Sequence, residues 1–238
     1  MSNDHVTVVV PTYNERGNIA HLAAAIRLHG YSLLIVDDGS PDGTGDIADS
    51  LAAELPRVSV IHRTHKQGLG RSYAAGFDRA LAAGADIVVA MDADFSHNPN
   101  DVPSLVKAVE TGADVAIGSR YVPGGSTPDW PLLRRVISRG GNRYARMMLG
   151  IPVRDATAGF RAFRAEALKE LPYGHAQASG YGFQVEMAWR AVQQGMALVE
   201  VPIVFRDRRV GTSKMGLAIV AEAMWLVTRW GLGRMVRR

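Results

Sequence analysis

The sequence predicts an α/β fold in which a mostly parallel central sheet is flanked by helices. Four apolar runs, at 6–10, 33–36, 58–61 and 87–91, each end in polar or turn residues. They are too uniformly apolar to leave one face in water, which is typical of buried parallel strands. Stretches with helical spacing lie at 19–28 and 70–83. Strands that alternate with helices in this way build a parallel sheet.

The next elements follow from caps and periodicity. After Pro99, Asn100 is a candidate helix cap. The apolar residues behind it fall at helical spacing, on Val102, Leu105, Val106 and Val109. A strand at 115–117 follows, and a helix over 130–149 is bounded by glycine and proline on both sides.

The last segment, from residue 215, predicts an amphipathic helix. Its apolar face is formed by Leu217, Val220, Met224, Val227 and Trp230. Its basic residues, with no balancing acid among them, are Arg229, Arg234, Arg237 and Arg238. This pattern favours a helix that lies in a lipid interface. A terminal helix packed on the core, with a basic end, is the alternative.

Composition limits the classes of protein. The chain has 238 residues, of which 47% are hydrophobic, enough for the core of one domain. We keep it as one domain, with an α/β half at 1–119 and a basic second half at 120–238 that ends in the amphipathic helix. The net charge is +4, and nine arginines but only Asp129 and Asp155 as acids stand between Arg120 and Arg164. The absence of cysteine excludes disulfide frameworks, cysteine metal centres and cysteine nucleophiles.

The sequence shows no transport or membrane signal. The first residues lack the basic region of a signal peptide, and the longest nearly apolar stretch is shorter than the ~20 residues of a spanning helix. We therefore expect a cytoplasmic protein, and the amphipathic last segment favours a peripheral position on the inner face of the membrane.

Polar residues follow three of the predicted strands, at 11–15, 37–40 and 92–94. In an open parallel sheet such strand ends share one crevice. Asp37 and Asp38 also suit a simple turn. Asp92 and Asp94 leave their strand two residues apart and point to one side, so a cation is expected between them. Hard oxygen ligands suit Mg²⁺ or Mn²⁺, and solvated strand-end acids are the alternative.

The standard phosphate loops are missing. Gly68-Leu69-Gly70 is followed by Tyr73 where a dinucleotide fingerprint needs glycine, and there is no Walker-type run. A bound diphosphate would therefore be neutralised by metal and by arginine or lysine.

Several motifs together resemble a known family. The runs 11–15, 36–44 and 118–121, and Asp92-Ala93-Asp94 with His97 and Pro99, resemble the inverting GT-A glycosyltransferases of family 2, which have the nucleotide-diphospho-sugar transferase fold. A second group of residues resembles the polyprenol (dolichol) phosphate mannose synthases. It consists of Trp130, Pro131, Arg134, Ser138, 155–164, 180–184, Asp207, Arg208, Gly211, Ser213 and Lys214.

The resemblance implies a role for each matching residue. The nucleotide-sugar site would comprise Pro11, Tyr13, Glu15, Val36, Asp38, Asp92, Ala93, Asp94, Arg120, Arg208 and Lys214. Asp92 and Asp94 would hold Mg²⁺ or Mn²⁺. The acceptor phosphate would bind Arg120, Arg134 and Ser138, and the catalytic residues would be Asp94, Arg120, Arg134 and Arg208. Ser96 stands where some relatives have glutamine, so water would replace a third protein ligand.

The implied reaction is transfer of mannose from GDP-mannose to a polyprenyl phosphate, with inversion. The expected partners also include an anionic lipid surface, with a separate membrane-anchor protein left open and nucleic acid not expected. Two alternatives stay open: a UDP-sugar donor, and a non-catalytic protein that binds a membrane or polyanion.

Overall fold

The computed structural model describes residues 3, 5–178, 180–207 and 217–236, and its central feature is one sheet. The described strands are β1 (Val6–Thr12), β2 (Ser32–Asp37), β3 (Val58–His62), β4 (Ile87–Ala90), β5 (Val115–Ser119), β6 (Arg161–Arg164) and β7 (Leu198–Pro202). Their order is β3-β2-β1-β4-β6-β5-β7. Strand β6 runs antiparallel to β4 and β5, and the other pairs are parallel. The predicted mostly parallel α/β architecture is confirmed.

The helices flank this sheet. They are α1 (Ile19–Leu28), α2 (Thr44–Glu54), α3 (Leu69–Ala82), α4 (Val102–Glu110), α5 (Leu132–Leu149), α6 (Ala165–Glu170), α7 (Gly180–Gln193) and α8 (Leu217–Val236). Helix α1 has the predicted bounds. Helix α3 packs closely on the sheet, because a Cβ at Gly76 would overlap Val9 Cγ1.

The core has two parts, one on each face of the sheet. Val9 belongs to one cluster, whereas Val8 and Val10 belong to the other. This division follows from the alternation of side chains along a strand. Both faces of β1 are therefore dry, as its unbroken apolar run predicted.

The entry into α4 differs from the prediction. A single 3₁₀ turn, Pro99–Asp101, precedes the helix, and its cap is Asn98 instead of Asn100. The Asn98 side-chain oxygen accepts a hydrogen bond from the backbone N–H of Asn100 at 3.1 Å. Pro99 suits the first position of the turn because it has no N–H that needs a partner. The cap is therefore the residue before it, Asn98.

Helix α8 packs on the core, as the second alternative for the last segment predicted, and it leaves some apolar side chains exposed. Val227 is buried, and the Trp230 ring stacks on Trp189 of α7 at 5.1 Å. Met224, Trp225 and Leu232 are exposed. The side chains of Leu217 and Val220, with Arg237 and Arg238, lie outside the described residues. None of the described helices is long and apolar enough to cross a membrane.

Candidate active site

The carboxyl ends of β1, β2 and β4 open into one cavity of about 330 Å³. Strand β1 lies between β2 and β4, so the loops that follow the three strands leave the same edge of the sheet. The predicted site residues that line the cavity are Pro11, Tyr13, Glu15, Asp38, Asp92, Ala93, Asp94, Arg120 and Arg134. Residues from distant parts of the sequence thus meet at the edge where these strands end.

Two of the predicted residues, Val36 and Ser138, do not line the cavity, and two others cannot be compared. Val36 is fully buried and faces α3, since a Cβ at Gly76 would lie 3.1 Å from its Cγ2, so its side chain belongs to the core and does not line the cavity. Ser138 lies one helical turn beyond Arg134, outside the lining, and its hydroxyl accepts a hydrogen bond from Tyr121 at 2.6 Å. Arg208 and Lys214 lie outside the described residues.

The two acids at the end of β2 have different surroundings. The Asp37 carboxylate accepts hydrogen bonds from the Thr12 hydroxyl at 3.0 Å and from the Ser40 N–H and hydroxyl at 3.0 and 2.6 Å. Asp37 therefore stabilises the turn that follows β2. Asp38 lines the cavity, and its carboxylate accepts from Arg63 at 2.6 Å and from Ser72 at 2.6 Å.

The Asp92 and Asp94 carboxylates are held by donors from the protein. The Tyr73 hydroxyl donates to Asp92 Oδ1 at 3.1 Å, and the Ser96 N–H donates to Asp94 Oδ1 at 3.0 Å. Phe95, between Asp94 and Ser96, has a φ of 59°. This left-handed turn lets the chain fold back so that the Ser96 N–H reaches Asp94.

His97 anchors the same loop. Its ring stacks on Phe160 at 4.9 Å, and its Nδ1 accepts a hydrogen bond from the Asp92 N–H at 3.2 Å. Burial lowers the pKa of His97, so the ring is neutral at pH 7 and its Nδ1 lone pair can accept. The backbone of the acidic loop is therefore fixed against the core.

The acidic pair fits a hard divalent cation that also binds phosphate. Among the described residues there is no group of three or more histidine or acidic side chains that could hold a metal. Two carboxylates would then be completed by phosphate oxygens and water, which is the usual arrangement for Mg²⁺. Gly159 keeps space beside them, because a Cβ there would lie 3.9 Å from Asp92 Oδ2 and 3.4 Å from Gln184 Nε2.

Arg120 enters the cavity from a buried ion pair. Its Nε donates to Asp155 Oδ2 at 2.7 Å and its Nη2 donates to Asp155 Oδ1 at 2.6 Å. The backbone N–H of Arg120 also donates to Asp155 Oδ2, at 2.9 Å. Asp155 is fully buried and Arg120 is 6% exposed. This two-point grip fixes the plane of the guanidinium.

Arg134 lies in a more open setting. It pairs with Asp207 at 2.9 Å near the surface, and its guanidinium lies over the Trp130 ring at 4.0 Å. Both members of the pair line the cavity. An exposed pair of this kind exchanges readily with an anionic ligand because its net stabilisation is small.

Several lining or supporting residues were not assigned to the site from the sequence. They are Tyr73, Lys66, Asp155, Gly159 and Gln184. The last three fall within the motif runs 155–164 and 180–184. Their place in these runs was the sequence feature that could have identified them as site residues. The Lys66 ammonium lies 4.6 Å from the centre of the Tyr13 ring. Lys66 and Tyr73 come from a loop and a helix face that only the folded chain brings to the site.

Comparison with known protein families gives a match to one family model. Residues 7–172 match the model described as glycosyl transferase family 2.

Curated relatives match over most of the chain. The polyprenol monophosphomannose synthase of Mycolicibacterium smegmatis is 48% identical over 97% of this chain and 88% of its own. The undecaprenyl-phosphate mannosyltransferase of Micrococcus luteus is 49% identical over 95% and 94%. The dolichol-phosphate mannosyltransferase of Pyrococcus furiosus is 38% identical over 88% of this chain and 59% of its own.

Solved structures share the fold at lower identity. Glucosyl-3-phosphoglycerate synthase from Mycobacterium tuberculosis, in complex with Mn²⁺, UDP and glucosyl-3-phosphoglycerate, has a TM-score of 0.69 and 23% identity, over 96% of this chain and 79% of that one. A mannosyltransferase from Pyrobaculum calidifontis, in complex with GDP-Man and Mn²⁺, has a TM-score of 0.58 and 18% identity, over 100% and 67%. These two similarities concern the fold alone.

Proposed function

The chain belongs to glycosyl transferase family 2 and has the GT-A fold, and from this premise we propose that it transfers mannose from GDP-mannose to a polyprenyl phosphate. The observation that carries the proposal is that one cavity holds both the Asp92 and Asp94 carboxylates and the Arg120 and Arg134 guanidinium groups. A sugar diphosphate and a lipid phosphate meeting there bring several negative charges together, which requires fixed cations.

The donor occupies the half of the site formed by residues 1–119. Tyr13, Glu15 and Asp38 lie at the ends of β1 and β2 and contact the nucleoside, with Pro11 beside them. Asp92 and Asp94 would hold Mg²⁺ or Mn²⁺, which when bound offsets the negative charge on the leaving diphosphate. Arg208 and Lys214 are assigned to the same diphosphate from the sequence motif.

The acceptor half, 120–238, supplies the groups for the lipid phosphate. Arg120 is fixed by Asp155, and Arg134 exchanges its partner Asp207 for the incoming phosphate. Ser138 lies one turn further along α5, where its hydroxyl and that of Tyr121 already form a hydrogen bond. Arg120 and Arg134, which line the cavity, orient the acceptor so that one phosphate oxygen faces the sugar.

No strong general base is needed. The second pKa of a phosphate monoester is about 6, so the acceptor is already an oxyanion at neutral pH. The attacking phosphate oxygen forms a bond to the anomeric carbon from the face opposite the nucleotide. The bond from that carbon to the diphosphate oxygen breaks, and GDP leaves with the electron pair. Configuration is inverted, and positioning by the arginines supplies much of the rate.

The acceptor's location places the protein at a membrane surface. Helix α5, which carries Arg134 and Ser138, also exposes four apolar side chains: Leu132, Leu133, Val136 and Ile137. Exposed Trp225 and Leu232 lie on α8, which packs against α5. We place these side chains in the interface of the inner face of the cytoplasmic membrane. A separate membrane-anchor protein is a further candidate partner.

The test uses the purified chain, a short polyprenyl phosphate and radiolabelled GDP-mannose or UDP-glucose, with Mg²⁺ or Mn²⁺. Sugar in the organic phase is counted, with EDTA and Asp94→Asn as controls. We expect mannose transfer that EDTA abolishes. Transfer from UDP-glucose alone would overturn the mannose assignment. Transfer from neither donor would favour a protein that only binds membranes or polyanions.

A further inference from the structure

A second cleft, of about 620 Å³, lies along α5 beside the candidate active site. Its lining includes four arginines, Arg139, Arg143 and Arg146 from α5 and Arg154 from the segment that follows. The lining also includes Tyr121, which bonds Ser138, and the exposed Met147. The mannosyl transfer proposed above uses none of these four arginines.

The four arginines are not neutralised by acids of the cleft. Arg139, Arg143 and Arg146 recur at helical spacing, so like charges share one face, which destabilises a helix by itself. No described residue in the lining is acidic. Elsewhere, the described arginines that pair with a carboxylate are Arg63, Arg120, Arg134, Arg164 and Arg190. In the part of the chain that the structure describes, no such ion pair involves the cleft arginines.

A fifth guanidinium completes the cluster. Arg234 of α8 lies directly against Gly150, where any side chain would collide with it. Gly150 ends α5 with a φ of 68°, a left-handed conformation that glycine adopts without strain. Its lack of a side chain also leaves room for the Arg234 guanidinium. The cleft therefore concentrates positive charge from two helices and one loop around an open volume.

The cleft borders the exposed apolar surface of α5. Met147 is 70% exposed, and the Leu132 and Val136 side chains are exposed on the same helix. Arginines next to an apolar stripe are the arrangement of a helix at a membrane surface, where the guanidinium groups reach the phosphate layer. The position of the cleft therefore favours a lipid of the bilayer as the anion that binds to these arginines.

We propose that this cleft binds the phosphate headgroup of an anionic phospholipid, as a site separate from the acceptor phosphate. Guanidinium groups pair with phosphate oxygens two at a time, which several converging arginines allow. Tyr121 divides the two sites, since its hydroxyl bonds Ser138 while Arg139 lies 5.5 Å from its ring. The inference rests on the proposed function only for its membrane setting.

The experiment measures binding of the full chain to vesicles without donor or acceptor. Neutral phosphatidylcholine vesicles are doped either with phosphatidylglycerol or with a fatty acid, matched in zeta potential. We expect tighter binding to phosphatidylglycerol. Arg143→Gln with Arg146→Gln should lower that affinity about 25-fold, since each basic residue near an anionic surface contributes about 5-fold. Two exposed arginines elsewhere, Arg27→Gln with Arg79→Gln, are the matched control.

Two further results distinguish a headgroup site from a merely basic surface and from the acceptor site. Arg143→Lys with Arg146→Lys keeps the charge but not the paired geometry, so the preference for phosphatidylglycerol should fall while attraction to both vesicles remains. Equal binding of the native chain to both vesicle types would overturn the proposal. Turnover of a detergent-solubilised short acceptor should be unchanged in the glutamine variant, and its loss would assign the cleft to the acceptor and overturn a separate site.

Discussion

The Tyr73 hydroxyl donates a hydrogen bond to Oδ1 of Asp92 at 3.1 Å, from a ring that is fully buried. The ring stacks on Phe77 and Phe183, at 5.6 and 6.2 Å. Burial, together with the Asp92 charge, raises the pKa of Tyr73 well above its usual value, so the hydroxyl keeps its proton. Tyr73 is therefore a positioning residue for a proposed metal ligand.

Tyr73→Phe keeps the ring stack and removes the donor. We expect the Mn²⁺ concentration for half-maximal turnover to rise about 10-fold, the lower end of the effect of removing a partner of a metal ligand. The matched control is Tyr144→Phe, which removes a hydroxyl bonded to Thr228. A titration of turnover against Mn²⁺ measures both. If the two variants shift equally, Tyr73 does not act through the metal site.

Asp94→Asn should reduce metal-dependent transfer by at least ~10²-fold, the scale on which preorganised charge stabilises a transition state. Asp92→Asn should behave similarly. The fold should persist, which circular dichroism checks, because asparagine occupies the same volume and its carbonyl oxygen can accept from the Ser96 N–H. Asp49→Asn, at an exposed position, is the control. Full turnover in Asp94→Asn would remove Asp94 from the metal site.

Asp155→Asn should destabilise the fold by about 3–5 kcal/mol, because it leaves the Arg120 guanidinium buried without its counter-charge. Asp207→Asn breaks the exposed pair with Arg134 and should cost at most about 1 kcal/mol. Urea unfolding followed by fluorescence measures both. Replacing Arg120 as well as Asp155 should restore part of the lost stability. Equal effects of the two single changes would contradict the difference in burial.

The sequence was most informative where burial and strand ends determine the structure. The dry strands required uniform apolar runs, and their polar ends had to meet at one edge, so Asp92 and Asp94 could be placed beside Tyr13 and Asp38. Partners from distant parts of the chain carried no such signal. The grip of Asp155 on Arg120 joins residues 35 positions apart through the fold.

Strand β6 shows why other elements were missed. It contains Arg161, which is fully buried, and hydropathy does not identify a strand with an arginine in the core. The Nε and Nη2 of Arg161 donate to the carbonyls of Ala158 and Ala156, at 2.9 and 2.8 Å. Burial lowers the pKa of Arg161 to about 10, so it remains charged at pH 7 and supports the loop that carries Thr157 and Gly159.

Arg134→Gln should raise the KM for the lipid phosphate about 10- to 100-fold, the loss of a hydrogen bond to a charged group. Stability should hardly change, since the Asp207 pair is exposed. Arg135→Gln is the control. The neighbouring Arg135 donates to the Trp130 carbonyl at 2.9 Å and does not line the cavity. Initial rates against acceptor concentration, at saturating donor, give the comparison. A KM change of the same size in both variants would exclude a specific acceptor role for Arg134.

The exposed apolar residues of α5 should drive association with membranes. Leu133 and Ile137, 70% and 56% exposed, lie one turn apart and beside Arg134. Burying an exposed leucine or isoleucine contributes at least about 1.5 kcal/mol, so Leu133→Ser or Ile137→Ser should weaken vesicle binding about 10-fold.

The control for this surface is Leu28→Ser on α1, a leucine that is 85% exposed. Point changes are preferable to deleting the chain after Gly231, because the deletion also removes the last turn of α8 and with it Arg234, which lies against Gly150. Sedimentation with neutral vesicles isolates the apolar contribution from charge. Turnover of a short acceptor in detergent should stay at the native value, since that substrate needs no bilayer. If Leu28→Ser weakens vesicle binding as much as Leu133→Ser does, the membrane contacts a different surface.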